Sequence, residues 1–354
     1  MKRILIARTD RIGDVLLSTP VFRAVREVCP TSHIAILVRP YAEDIVSGNP
    51  YIDEVIVYDK DGIHKSWLGT FLFALRLRRK KFDTAIILHP TNRIHIITAL
   101  AGIPARIGFN KKLGFLLTKK IPHTKQFGEK HEMEYTLDVI RAVGIRPSHK
   151  VLYFPISRNI CKKMEGYLGK TNVGGGGIFV AINPSASCPS KRWPIDYFAR
   201  LADELVERAG AKIILISAAD DKIYASEMLG KMKHKEALDF SGRTTVAELG
   251  ALLRHCSLLI SNDSGPVHIA AAVGTPVISI FGRMDPGLSP TRWKPLGENC
   301  ITFHKDVGCR PCLAHRCKIG FKCLSTIGVE EIFDAAEKLL KKRELTTEQT
   351  NKPF

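Results

Sequence analysis

The sequence predicts an α/β protein made of two doubly wound domains with a cleft between them. Two observations carry that expectation. Short apolar, strand-like segments alternate with longer amphipathic ones in two separate runs, and a less regular stretch joins the runs. Within each run, polar or small residues follow directly on a strand, at the end where open α/β sheets bind ligands.

The first run begins with RILIA and continues into the apolar-periodic DVLLSTPVFRAVREVC. HIAILVR then leads to a short helix candidate and EVIVYD, and TFLFALRLRRKKF precedes TAIILH. Strands separated by helical segments of this length imply βαβ units and a parallel sheet. Pro30, Gly48-Asn49-Pro50 and Asp61-Gly62 read as turns. From about Phe154 the pattern changes to FPIS, a polar Lys-Lys stretch and four glycines, Gly174 to Gly177. The glycines read as a flexible turn because they precede a strand, whereas a phosphate cradle opens a helix. Alternation resumes with IFVAINPSA, AKIILIS, SLLISNDSG and PVISIFG. The expected division is therefore a first domain over 1–160, a linker over 161–177 and a second domain over 178–354.

At 354 residues and 45% apolar composition, the chain can supply two cores. Its net charge of +18 attracts phosphate-bearing partners, but charge alone does not choose among nucleic acid, lipid and phosphorylated sugar. No zinc finger, RNP-like aromatic pattern or helix-turn-helix signal accompanies the charge, so nucleic acid is not the expected partner. No uninterrupted apolar run approaches the ~18 residues of a membrane span. Arg8, Asp10 and Arg11 cut the first apolar segment too short for a signal peptide. Nine cysteines, an odd and mostly scattered set, fit a reducing compartment. Together these place the chain in the cytoplasm.

Three segments carry candidate chemistry. In RTDRIGDVLL, Gly13 and Asp14 open a helix straight after the first strand. In NPSASCPSKRW, the hydroxyls of Ser185, Ser187 and Ser190 precede Lys191, Arg192 and a helix start near Pro194. Hydroxyls, a lysine and a helix N-terminus can together neutralise a diphosphate, and a solvated basic loop is the alternative. In NDSGPVHIAAAVG, Asp263-Ser264-Gly265-Pro266 leads from strand to helix, with Pro266 suited to the first turn. Asp263 or Ser264 can equally be a helix cap.

RTDRIGDVLLSTPVFRAVRE, INPSASCPSKRWPIDYFARLADEL and ISNDSGPVHIAAAVGTPVISIFG resemble, in chain order, the three signature regions of family 9 glycosyltransferases, the ADP-heptose lipopolysaccharide heptosyltransferases. The similarity spans about Met1 to Ile332, and the last segment is the most specific. Ser185 stands where many relatives have glycine. The resemblance implies a GT-B architecture of two Rossmann-like domains, with the acceptor on the first and the nucleotide sugar mainly on the second. Asp14 matches the family's general base, and the resemblance implies an inverting transfer in which it takes the proton of an acceptor hydroxyl.

On that reading Arg8, Arg11 and Gly13 lie on the acceptor side, and the two arginines keep Asp14 ionised and meet acceptor phosphates. Ser185, Ser187, Lys191, Ser264 and Gly265 hold the donor diphosphate, and Asp263 holds sugar hydroxyls. Asp221, after IILIS, is a candidate for the nucleotide ribose or a helix N-cap. ADP-heptose is the expected donor, with no cofactor required. Asp59-Lys60-Asp61 forms a DxD string, but Gly62 after it favours a tight turn over a metal site, and no catalytic metal is expected. The alternatives are another nucleotide-sugar hexosyltransferase of the same fold, a basic nucleic-acid-binding protein, and a catalytically silent module.

Cys309, Cys312, Cys317 and Cys323 lie close in sequence, with His304 and His315 nearby. They can hold a structural zinc, pack as free thiols or serve a redox role. WLGTFLFALRLRRKK and NKKLGFLLTKKIPHTK mix apolar residues with lysines and arginines. Such surfaces suit anionic lipid, or core-facing helices with solvated charges; the second segment reads as irregular. A phosphorylated glycolipid acceptor would use both features, with the protein peripheral on the cytosolic face of the inner membrane.

Overall fold

A computed structural model describes residues 1–169, 177–309, 312 and 316–350. The chain divides into two compact units, Met1–Pro155 and Ile156–Phe354.

The first unit is built on strands β1 (Arg3–Ala7), β2 (His33–Val38), β3 (Glu54–Val57), β4 (Thr84–Ile87), β5 (Ala105–Phe109) and β6 (Lys119–Ile121). They pair in parallel in the order β3-β2-β1-β4-β5-β6. The second is built on β7 (Phe179–Asn183), β8 (Lys212–Leu215), β9 (Leu238–Asp239), β10 (Leu258–Asn262), β11 (Val277–Phe281) and β12 (Cys300–His304). Its order is β12-β11-β10-β7-β8-β9, also parallel. Each sheet starts at a central strand, runs out to one edge, then returns to the other side of that strand. The order therefore reverses between β1 and β4 in one unit and between β7 and β10 in the other. At such a point the loops leaving the two strands diverge and open a crevice.

Central strands buried on both faces read as continuous apolar runs, which is why RILIA, HIAILV and VISIF were legible. β5, β6, β9 and β12 were not: β6, β9 and β12 are edge strands, the first two only three and two residues long, and β5 is interrupted by Arg106 and Gly108. β6 falls within the segment expected to be irregular. The long helical pattern after β1 breaks into helices Ile12–Leu16 and Thr19–Val28. Pro20 lies in the first turn of the second helix, where its missing N–H leaves no bond unmade.

The division after Pro155 falls ahead of the expected 160, and residues 161–169 of the expected linker belong to helix Arg158–Gly169. Lys163 on that helix pairs with Glu248 at 2.5 Å, within the second unit. Gly174 to Gly176 lie outside the described residues. The DxD string is a turn: Asp59 Oδ1 accepts the Gly62 N–H at 2.9 Å, and Asp61 pairs with Arg39.

Candidate functional site

In the first unit, the chain leaving β1 turns around Arg8. Its side chain is 1% exposed, and its guanidinium lies 2.7 Å from Asp10 Oδ1, 2.7 Å from Asp14 Oδ1 and 3.0 Å from Glu132 Oε1. It also donates to the Leu88 carbonyl at 3.3 Å, just past β4, and so spans the switch point. Glu132 opens helix Glu132–Arg141, and its carboxylate takes Lys125 Nζ at 2.5 Å. Thr9 Oγ1 and His89 Nδ1 are 3.3 Å apart across the same loops.

Three buried or nearly buried carboxylates therefore face two buried cations. Burial, followed by repulsion from Asp10, raises the Asp14 carboxyl to about 7 against the pull of Arg8. Burial also raises Asp10 and lowers Lys125. His89 is pushed down to about 3, by burial and then by Arg8, and is neutral. The expectation that Arg8 and Arg11 keep Asp14 ionised is met only in part, by Arg8, whose pull burial and Asp10 outweigh. Arg8 is shared with two other carboxylates, and Arg11 is exposed with no ion pair to a described residue. A carboxylate that titrates near neutrality is a better proton acceptor than one held at its ordinary value. Gly13 is buried in the same short helix.

In the second unit, the loops after β7 and β10 interlock. Asn183 Nδ2 donates to Ser261 Oγ at 3.2 Å and Ser264 Oγ at 2.9 Å, while its Oδ1 accepts from Ser185 N–H and Oγ. Asn262 Oδ1 accepts the Trp193 N–H at 2.9 Å, and its Nδ2 donates to the Pro184 carbonyl. Trp193 is fully buried and donates from its indole to the Ile327 carbonyl at 3.0 Å, which anchors the loop to the core. Lys191 Nζ sits 2.5 Å from Asp263 Oδ2 and 3.2 Å from the Asp263 carbonyl.

Helix Gly265–Ala272 begins at this cluster. Ser264 holds its N-cap position, but its hydroxyl is engaged by Asn183 and caps no amide. The helix N-terminus thus carries no side-chain cap beside Lys191, and its dipole suits an anion, while Pro266 has no N–H and the Val267 N–H donates to the Ser264 carbonyl at 3.3 Å. Gly282, just past β11, makes the close packing possible: a Cβ there would lie 2.2 Å from the Ser190 carbonyl oxygen.

Lys191, Ser185, Asp263, Ser264 and Gly265 are thus brought together. Ser187 is exposed at the rim of that loop. Asp221 stands apart after β8, at the start of helix Lys222–Lys231, and its side chain caps no amide. Sequence reading missed Asp10, Lys125, Glu132 and His89; Asp10, Lys125 and His89 lay within quoted segments, but only Asp10 lay within a motif read as chemistry, where its charge could have flagged it. Among the described residues, no group of three or more His, Cys, Asp or Glu side chains is arranged to hold a metal ion. Cys323 is buried, its thiol pushed up to about 11 by burial and then by Cys309, Cys312 and Cys317, which keeps it protonated and unreactive. His315 lies outside the described residues.

The family model for glycosyltransferase family 9 (heptosyltransferase) matches residues 71–322. This chain belongs to that family. Lipopolysaccharide heptosyltransferase 3 of Escherichia coli strain K12 is 30% identical over 93% of this chain and 95% of its own length. The crystal structure of a family 9 glycosyltransferase from Veillonella parvula aligns with a TM-score of 0.88 and 27% identity, covering 96% of this chain and 98% of that one. Escherichia coli ADP-heptose lipopolysaccharide heptosyltransferase II shares the fold, with a TM-score of 0.80 and 20% identity over 97% of this chain and all of that one. The family 9 fold is GT-B, and its two Rossmann-like units are the two switch-point sheets described above.

Proposed function

We propose that this family 9 enzyme transfers heptose, with inversion, from ADP-heptose to a phosphorylated glycolipid of the lipopolysaccharide inner core. The observation that carries the reading is Asp14, a carboxylate tuned near neutrality and held at the β1/β4 switch point by Arg8. Relatives support the substrates: the aligned Escherichia coli protein is named a lipopolysaccharide heptosyltransferase, and Escherichia coli WaaC has been crystallised with ADP and with ADP-2-deoxy-2-fluoro heptose.

Asp14 accepts the proton of the acceptor hydroxyl as that oxygen attacks the anomeric carbon, a contribution of ~100- to 10,000-fold. The diphosphate leaves from the opposite face of the sugar. Lys191, the hydroxyl of Ser185 and the amides around Ser264 and Gly265 meet its growing charge. Asp263 orients sugar hydroxyls, and Ser187 and Asp221 remain rim and ribose candidates. Arg8 positions Asp14, while Arg11, exposed beside Gly13, is free to meet an acceptor phosphate. No cofactor enters the reading. The enzyme meets its lipid acceptor from the cytosolic face, as a peripheral protein on an anionic surface; no helix among the described residues is long and apolar enough to cross a membrane.

Thermal stabilisation by ADP, UDP, GDP and CMP tests the donor. A nucleotide at ~100 times its dissociation constant adds ~2.7 kcal/mol. Selective stabilisation by ADP is expected; selectivity for another nucleotide overturns ADP-heptose in favour of a different sugar donor.

A further inference from the structure

Helix Trp67–Arg79 is apolar on both sides. Thr70, Phe73, Ala74 and Leu77 face the core of the first unit. On the other side, Trp67, Leu68, Phe71, Leu72 and Leu75 are 37% to 67% exposed. Ile63, just before the helix, is 78% exposed. A surface helix ordinarily turns polar residues to water, and an apolar outer face marks a contact yet to be made.

The helix is held firmly in place. Ser66 Oγ caps it by accepting the Gly69 N–H at 2.9 Å. Arg93 donates to the carbonyls of His64 at 2.9 Å and Lys65 at 2.6 Å, and its guanidinium lies 5.1 Å from the Trp67 ring centroid. The outer face is therefore displayed by a fixed scaffold.

Charge identifies the occupant. Arg76, Arg78, Arg79 and Lys81 are exposed at the C-terminal end of the helix, and Lys65 is exposed before its N-terminus. Among the described residues none of these five has an ion-pair partner, and no acidic residue occurs between Trp67 and Lys81. A second copy would set the same cations against themselves. A bilayer with anionic headgroups matches both halves of the pattern, with apolar side chains entering the acyl boundary, Trp67 at headgroup level and the arginines on phosphate.

We infer that the outer face of helix Trp67–Arg79 docks this protein on an anionic phospholipid bilayer. The inference rests on the proposed lipid-borne acceptor, so binding is measured without acceptor or donor.

The test uses the full chain and vesicles of phosphatidylglycerol with phosphatidylethanolamine, against vesicles of phosphatidylcholine alone. Wild type is expected to sediment with the anionic vesicles only. Leu68→Ser/Phe71→Ser/Leu72→Ser is expected to weaken binding at least about tenfold. Arg76→Gln/Arg78→Gln/Arg79→Gln is expected to weaken it about a hundredfold, roughly fivefold for each lost charge. Acyl-brominated lipid should quench wild-type tryptophan emission, and Trp67→Phe should remove most of the quenching, since Trp193 is fully buried and Trp293, half-buried, belongs to the other unit.

Absent binding to anionic vesicles overturns the inference, as does wild-type binding by either triple variant. A dimer that dissociates in the apolar variant assigns the face to a second copy and also overturns it. Quenching in wild type keeps the test decisive if a triple variant folds poorly. ADP stabilisation is expected to persist in both triple variants; its absence from wild type would count against the donor reading while leaving the vesicle result intact.

Discussion

Arg8 and Glu132 are 124 residues apart in sequence, yet the guanidinium of one lies 3.0 Å from the carboxylate of the other, each with a side chain 1% exposed. That contact ties the helix after residue 131 to the loop that presents Asp14. It also divides the positive charge of Arg8 among three carboxylates, so that burial, and then repulsion from Asp10, raises Asp14 to about 7 against the pull of Arg8.

Glu132→Gln removes one of those claims on Arg8. With less negative charge nearby, the folded-state affinity of Asp14 for its proton falls, and the acidic limb of the kcat/KM profile should move to lower pH. Asp10→Asn should move it in the same direction and further, because Asp10 is the larger source of repulsion. A limb that stays in place or moves upward in both variants contradicts the shared-cation account.

Arg8→Met leaves Asp10, Asp14 and Glu132 without their common partner. Breaking a buried ion pair from one side costs about 3–5 kcal/mol, so a large fall in urea stability at pH 8 is expected. The loss should shrink as pH falls. Without Arg8 the folded-state values of Asp10 and Asp14, already raised by burial, rise further above their unfolded ones, and that penalty is present at high pH and relieved as they protonate. A loss equal at pH 5 and pH 8 would argue against the charge origin.

Lys191 and Asp263 meet at 2.5 Å beside the N-terminus of helix Gly265–Ala272. Lys191→Ala should weaken ADP binding and lower kcat/KM together, by tenfold or more, since about 1.4 kcal/mol corresponds to a factor of ten. Titration calorimetry with ADP checks the first effect. Unchanged ADP affinity would remove Lys191 from the diphosphate site.

Gly282 permits the loop bearing Lys191 to close on β11, with a Cβ placed 2.2 Å from a backbone oxygen. Gly282→Ala must displace that loop, at a cost of about 1–3 kcal/mol for overpacking. A lowered Tm together with weakened ADP binding is expected; wild-type behaviour in both would show that the loop yields freely.

The fold was legible because central parallel strands bury both faces and so write themselves as apolar runs. The strands that escaped notice, such as KKI at the sheet edge and the two-residue β9, carry no such signature. Asp14 could be found because its motif is contiguous with β1. Lys191, Asp263 and Ser264 were found because two strand-end loops each carry a compact pattern. Glu132, Lys125 and His89 could not be found in this way, since their role depends on contacts made only after folding. The same limit explains the misjudged charge state of Asp14. Neighbouring arginines were visible in the sequence, whereas burial and competition from Glu132 were not.

The central claim is that Asp14 activates the acceptor, and its most direct test is Asp14→Asn in a transfer assay with ADP-heptose and a lipopolysaccharide inner-core acceptor, alongside ADP binding. The account predicts turnover reduced by ~100- to 10,000-fold with ADP affinity within about twofold of wild type, because Asp14 belongs to the first unit and the donor residues to the second. Near-wild-type turnover by Asp14→Asn would contradict it.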